Sequence, residues 1–171
     1  MREFDLFEDV SAFSVDFEKA VHNAASRVFP GVTIECCYFH FSQANWRKIV
    51  DLGLRSKYVH DIEFGMKARM FIAPAFLPSE HVHNAFAQLQ SIPCSDEGLQ
   101  NYMEYFERNF IGRYKSSIKN GKLSLKWKEP RYSIECLSIY ERVLAHDPFL
   151  RVCIDGFRVS SYPVFISSSH R

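Results

Sequence analysis

The stretch 14-SVDFEKAVHNAASRVFPGVTIECCYFHFSQANWRKIVDLGL-54 decides the fold class. Within it, residues 32–39 (VTIECCYF) are β-branched and aromatic, with Pro30-Gly31 in front and polar residues behind. That pattern is a buried strand. Ahead of it, Phe17, Ala20, Val21, Ala24, Ala25 and Val28 recur at helical spacing and stop at Phe29-Pro30-Gly31, which makes an amphipathic helix. Residues 10–15 (VSAFSV) read as a short strand ending just before Asp16. A second helix is expected over about 42–52, with Trp46, Ile49 and Val50 on one side and Gly53 at its end. Strand–helix–strand–helix is the grammar of a parallel α/β sheet.

From Lys57 onward the grammar changes. Residues 58–72 are helical in character, and Pro78-Ser79 opens a helix with Val82, Ala85, Phe86 and Leu89 on one face and Ser79 as its N-cap. Ser95 caps another, on which Leu99, Tyr102, Met103, Phe106 and Phe110 repeat until Gly112. Residues 113–131 read as a basic loop, and a last amphipathic helix is expected over 133–145, striped by Ile134, Leu137, Tyr140 and Leu144. The expected organisation is one unit: an α/β part over about 10–56, helices and the basic loop over 57–131, a final helix region over 132–158, and a tail over 159–171.

Length and composition set the outer bounds. The 171 residues suit one ordinary domain, and 47% hydrophobic residues with 7 Gly and 7 Pro supply a packed core rather than a disordered or collagen-like chain. No apolar run approaches the roughly 18 residues of a membrane span, so no membrane role is expected. The acidic start MREFDLFEDV lacks the apolar core of a signal peptide. The five cysteines therefore read as reduced thiols of a nuclear or cytosolic protein.

Net charge is only +1, but it is unevenly spread. Residues 1–18 hold six acids against one Arg. Residues 108–131 hold eight bases (Arg108, Arg113, Lys115, Lys119, Lys122, Lys126, Lys128 and Arg131) against Glu129 alone, with Tyr114 and Trp127 among them. Such a stretch suits a phosphate backbone, and it also suits a merely solvated surface.

Two further places could carry chemistry. Asp16 follows a strand and precedes a helix, where parallel sheets place ligand groups, and its carboxylate is a hard donor for Mg²⁺ or Mn²⁺. The plainer alternative makes Asp16 the N-cap of a helix starting at Phe17. Cys37 and His40, three apart at a strand end, are half of a zinc site, or else a buried thiol beside a capping His.

Taken together, these pieces resemble the catalytic core of Mutator-like element (MULE) transposases. The resemblance rests on Asp16-Phe17-Glu18-Lys19-Ala20, Phe29-Pro30, the Cys-x-x-His-Phe-x-Gln run from Cys37 to Gln43, and Gly53-Leu54. It continues in Ala75-Phe76-Leu77-Pro78, in Tyr105-Phe106-Glu107-Arg108-Asn109-Phe110-Ile111-Gly112-Arg113, and in the helix Ser138 to Leu144. It implies an RNase H-like fold with an Asp-Asp-Glu triad, a helical insertion before the last acid, and two-metal phosphoryl transfer on DNA. Asp16 is then the second acid. Asp155, in Arg151-Val152-Cys153-Ile154-Asp155-Gly156-Phe157-Arg158, stands where the family has Asn-Asn-x-x-Glu-Gly-Trp-His, so the Asn pair and the His are replaced. The first acid belongs on a strand upstream of Met1.

The expectation is therefore an α/β chain: an incomplete RNase H-like core with few strands and a large all-helical insertion, a fragment inactive by itself. The resemblance implies Mg²⁺ or Mn²⁺ at Asp16 and Asp155, possible Zn²⁺ at Cys37 and His40, transposon-end DNA as partner, a possible homo-oligomer, and a nuclear location. Two other functions remain open: a non-enzymatic DNA-binding or protein-interaction domain, and a small zinc-stabilised helical adaptor.

Overall fold

Strand β1 (Ala12–Val15) and strand β2 (Thr33–Cys36) run parallel, with Ala12 opposite Thr33 and Val15 opposite Cys36. Helix α1 (Lys19–Val28) connects them, so the opening stretch forms the βαβ unit that its periodicity implies. This is a computed structural model, and it describes residues 12–119 and 121–146. Asp155, the region 147–158 and the tail 159–171 lie outside the described residues, as do residues 1–11 of the acidic head.

The remaining order is α2 (Tyr38–Asp51), α3 (Arg55–His60), α4 (Ile62–Met70), a 3₁₀ turn (Ala73–Phe76), α5 (Ser79–Ser91), α6 (Glu97–Phe106), a π turn (Glu107–Ile111), β3 (Arg113–Lys119), β4 (Lys122–Lys128), α7 (Ile134–Leu137) and α8 (Tyr140–Leu144). The architecture is mixed α/β and mainly helical, with two separate two-stranded sheets among the described residues.

The core lies among the helices rather than on the first sheet. Phe41 and Ile49 from α2, Tyr58 from α3, Phe64 and Ala68 from α4, and Val82 and Phe86 from α5 meet Leu99, Tyr102, Phe106 and Phe110. Aromatic rings fill the centre, with Phe110 centred 5.1 Å from both Phe41 and Phe106, and Phe71 set edge-on to Tyr102 at 5.6 Å. The two edge-to-face pairs, Phe41–Phe110 and Phe71–Tyr102, add about 0.5–1.5 kcal/mol each beyond the area they bury.

Several local expectations are corrected here. The apolar stripe of α1 does not face a core: Val28 is 66% exposed, and the buried residue of that helix is His22. A sheet of two described strands is too narrow to cover both the helix and its own faces. Asp16 is not the helix cap, because α1 begins at Lys19 with Glu18 in the cap position. Ser79 is the first residue of α5, with Pro78 at the cap, and α6 is capped by Asp96 instead of Ser95. The last helix is broken in two, because Ser138 donates its hydroxyl to the Leu77 carbonyl and Ile139 its N–H to the Ala75 carbonyl. Those bonds take the chain off the helical path between α7 and α8.

Candidate functional site: a basic β-ribbon beside a cysteine–histidine cluster

Residues 113–128, read from sequence as a loop, form an antiparallel hairpin. Its strands pair Arg113 with Lys128, Tyr114 with Trp127, Lys115 with Lys126, Ser117 with Ser124, Ile118 with Leu123 and Lys119 with Lys122. Gly121 turns the chain with a φ of 72°. Side chains alternate faces along each strand, so the pairing sorts this sequence into two surfaces. One carries Arg113, Lys115, Ser117, Lys122, Ser124, Lys126 and Lys128. The other carries Tyr114, Ser116, Ile118, Leu123, Leu125 and Trp127.

The root of the apolar surface is anchored. Trp127 packs against Tyr114 at 5.0 Å and against His83 of α5 at 5.8 Å. Gly112, at φ 89°, lets the ribbon leave the body, since a Cβ there would come within 2.4 Å of the Trp127 ring. Toward the tip the same surface is open, with Ile118 76% and Leu123 68% exposed.

The basic surface has an electrostatic property that sequence reading missed. Its cations stand directly opposite one another, Arg113 on Lys128 and Lys115 on Lys126, and Lys119 pairs with Lys122 in the backbone register. Like charges directly opposed across strands destabilise a ribbon. Among the described residues the ion pairs are Lys57–Asp96, Lys67–Glu63 and Arg142–Glu35, and none of them uses a base of the hairpin. Arg108 lies on the π turn before the ribbon, and Arg131 lies after it, with its guanidinium 5.6 Å from the Tyr132 ring centre. The eight bases therefore belong to one ribbon and its two flanks.

Asp16 follows the end of β1, as expected. Its Oδ1 is buried and accepts no hydrogen bond, while its backbone carbonyl accepts from His22 Nε2 at 2.7 Å. The segment is tied to the root of the ribbon, since the Tyr132 hydroxyl donates to the Phe17 carbonyl and the two rings meet at 4.8 Å. A buried, unpartnered carboxylate oxygen fits a cation as its missing partner. Asp16 nevertheless joins no cluster of three or more ligating side chains among the described residues.

Cys37 and His40 are placed differently from the strand-end pair that was expected. Cys37 is the N-cap residue of α2, and His40 stands in the first turn of that helix with a buried, unpartnered Nδ1. Among the described residues, no third His, Cys, Asp or Glu joins these two to make a site. The cluster that does form is His22, Cys36 and Cys136, all buried, with their ligating atoms within 4.8 Å of one another. Cys36 and Cys136 are joined in a disulfide, with Cα atoms 5.1 Å apart. This corrects the reading of five reduced thiols, and Cys153 lies outside the described residues. No protein-family profile matches the chain, and no curated protein or solved structure matches it.

Proposed function

We propose that this chain is a DNA-binding fragment of a MULE-type transposase core, and that the hairpin of β3 and β4 is its phosphate-contacting surface. The observation that carries the reading is the set of directly opposed cations on one face of the ribbon. A ribbon built this way repels itself until a polyanion lies along it. DNA supplies one negative charge per about 1.7 Å of helix axis, and a two-stranded ribbon fits its grooves.

The RNase H-like reading of the core is supported by the parallel βαβ unit, by the position of Asp16 after β1, and by the helices that follow. Asp16 would hold Mg²⁺ or Mn²⁺ through its unpartnered oxygen, with Asp155 as the second donor. The ion, when bound, supplies charge stabilisation and activation of water or a 3′-hydroxyl. Two-metal cleavage needs several converging carboxylates, and Asp16 has gathered none among the described residues. On this reading the chain alone is expected to bind DNA without cutting it.

The test is binding to a labelled duplex by fluorescence anisotropy across a salt series. If five bases contact phosphates, the log–log slope of affinity against salt is about −4.5, at roughly 0.9 per contact. Sequence should matter little. Replacing Lys115, Lys122, Lys126 and Lys128 together by Glu should abolish binding, while supercoiled plasmid with Mn²⁺ stays intact. A slope near zero, or binding that survives the charge reversal, would overturn the assignment.

A further inference from the structure

We propose that His22, Cys36 and Cys136 form a redox-gated zinc site, closed to metal by the disulfide and opened by its reduction. The inference is independent of DNA binding.

Three elements bring the donors together. Cys36 is the last residue of β2, Cys136 sits in the single turn of α7, and His22 points inward from α1. Cys36 Sγ lies 3.9 Å from His22 Nε2. A tetrahedral zinc with bonds of about 2.3 Å to sulfur and 2.05 Å to nitrogen sets such ligand atoms about 3.5 Å apart. One edge of the tetrahedron is therefore already close to its final length. The second edge needs only that the two sulfurs part from bonding distance to about 3.8 Å, a side-chain rotation rather than a backbone rearrangement.

The scaffold does not depend on the disulfide alone to hold this geometry. Arg142 Nε pairs with Glu35 at 3.1 Å, and its Nη1 donates to the Cys36 carbonyl, which fastens α8 to β2. Ser133 caps α7 by accepting from the Cys136 N–H at 3.3 Å. The donors are soft sulfur and imidazole, all buried, which is the ligand chemistry of zinc rather than of magnesium.

A small dithiol gives two electrons and two protons to the Cys36–Cys136 bond, leaving two protein thiols and a cyclic disulfide of the reductant. Zn²⁺ then displaces both thiol protons to solvent and takes the two thiolates. His22 binds through Nε2, with its proton carried on Nδ1, and gives up its hydrogen bond to the Asp16 carbonyl. A water completes four-coordination. A small-molecule disulfide reverses the sequence: it takes the two electrons of the thiolates and two protons from solvent to become two thiols, the Cys36–Cys136 bond re-forms, and Zn²⁺ is released. Both sulfurs are buried, so the reductant reaches them only when α7 lifts from β2, and reduction is slow.

The test uses the full chain, reduced for hours with excess dithiol, freed of it without oxygen, and titrated with Co²⁺ as a coloured stand-in for Zn²⁺. One equivalent should bind, with thiolate-to-cobalt charge-transfer bands and the visible spectrum of tetrahedral cobalt, and Zn²⁺ should bleach both. The oxidised chain should give no such spectrum. Cys136→Ser should lose both bands, and His22→Gln, which keeps an N–H for the Asp16 carbonyl, should weaken binding at least tenfold. Cys37→Ser should bind as the parent does. The proposal fails if the reduced chain gives no charge-transfer band, if binding survives Cys136→Ser and His22→Gln, or if it is lost in Cys37→Ser instead.

Discussion

The Tyr102 hydroxyl donates to Asn45 Oδ1 at 2.9 Å, and both residues are fully buried, 57 positions apart in sequence. The amide of Asn45 in turn donates to the Phe41 carbonyl at 2.8 Å. This bridge fixes α6 on α2 in the middle of an aromatic core, where an unpaired polar group costs about 1–3 kcal/mol. The same burial pushes the Tyr102 phenol well above its ordinary value, so it stays a neutral donor across the usual pH range. Tyr102→Phe should therefore lower unfolding free energy by about 1–2 kcal/mol, by stranding the Asn45 oxygen. Adding Asn45→Leu to Tyr102→Phe should recover part of that loss, since no polar group is then left unpaired. Urea unfolding of the two variants checks this, and a double variant no better than Tyr102→Phe would contradict it.

Asp96 has two tasks at one carboxylate. It caps α6 by accepting from the Leu99 N–H at 2.9 Å, and it pairs with Lys57 of α3. The Lys57 ammonium, and after it the Leu99 N–H, hold its pKa below the ordinary 3.8. A depressed carboxyl stabilises the fold above its unfolded pKa, and that contribution disappears as pH falls through the folded value. The acid limb of stability below about pH 4 should thus be shallower in Asp96→Asn than in the parent. At neutral pH Asp96→Ala should cost about 1 kcal/mol, and Asp96→Asn much less, because Asn still caps. The exposed ion pair itself adds little, so Lys57→Ala should change neutral stability by less than the cap does. Thermal unfolding of the three variants at several pH values measures these differences.

What the sequence made legible followed from periodicity. Tyr102, Phe106 and Phe110 fall on one stripe and are buried, and the strands read at 10–15 and 32–39 pair around a helix, although the second is only partly buried, ends at Cys36, and gives way to α2 at Tyr38 rather than at about 42. The hairpin was legible too, through the alternation Tyr114, Ser116, Ile118 and Leu123, Leu125, Trp127 around Asn120-Gly121, but its dense charge drew the reading toward loop. The pairing of Cys36 with Cys136 was not legible. The two are 100 positions apart, and adjacent Cys37 is an equally good candidate until the direction of each side chain is known. His22 was missed because it lies off the apolar stripe of α1. The periodicity correctly finds an amphipathic helix there, but the helix buries His22 from its polar edge and leaves Val28 exposed.

Gly112 is the hinge on which the ribbon's placement depends. Its φ of 89° with ψ of 163° belongs to a region that is essentially restricted to glycine. A Cβ at this position would also stand 2.4 Å and 2.9 Å from two atoms of the Trp127 ring and 3.0 Å from Pro130. Neither neighbour moves easily, since the indole is wedged between Tyr114 and His83, and Pro130 is a ring on the backbone. Gly112→Ala should therefore carry both a backbone strain of about 1–3 kcal/mol and the displacement of Trp127. The core formed by α2, α5 and α6 lies on the other side of this hinge, so helical content should survive while the ribbon loses its anchor. The readout is the red shift and stronger quenching of Trp127 fluorescence, recorded in a Trp46→Phe background so that one indole reports. Far-UV circular dichroism should keep its helical bands. If Gly112→Ala left the Trp127 emission unchanged, the ribbon would be held by contacts other than the Trp127–Gly112 approach.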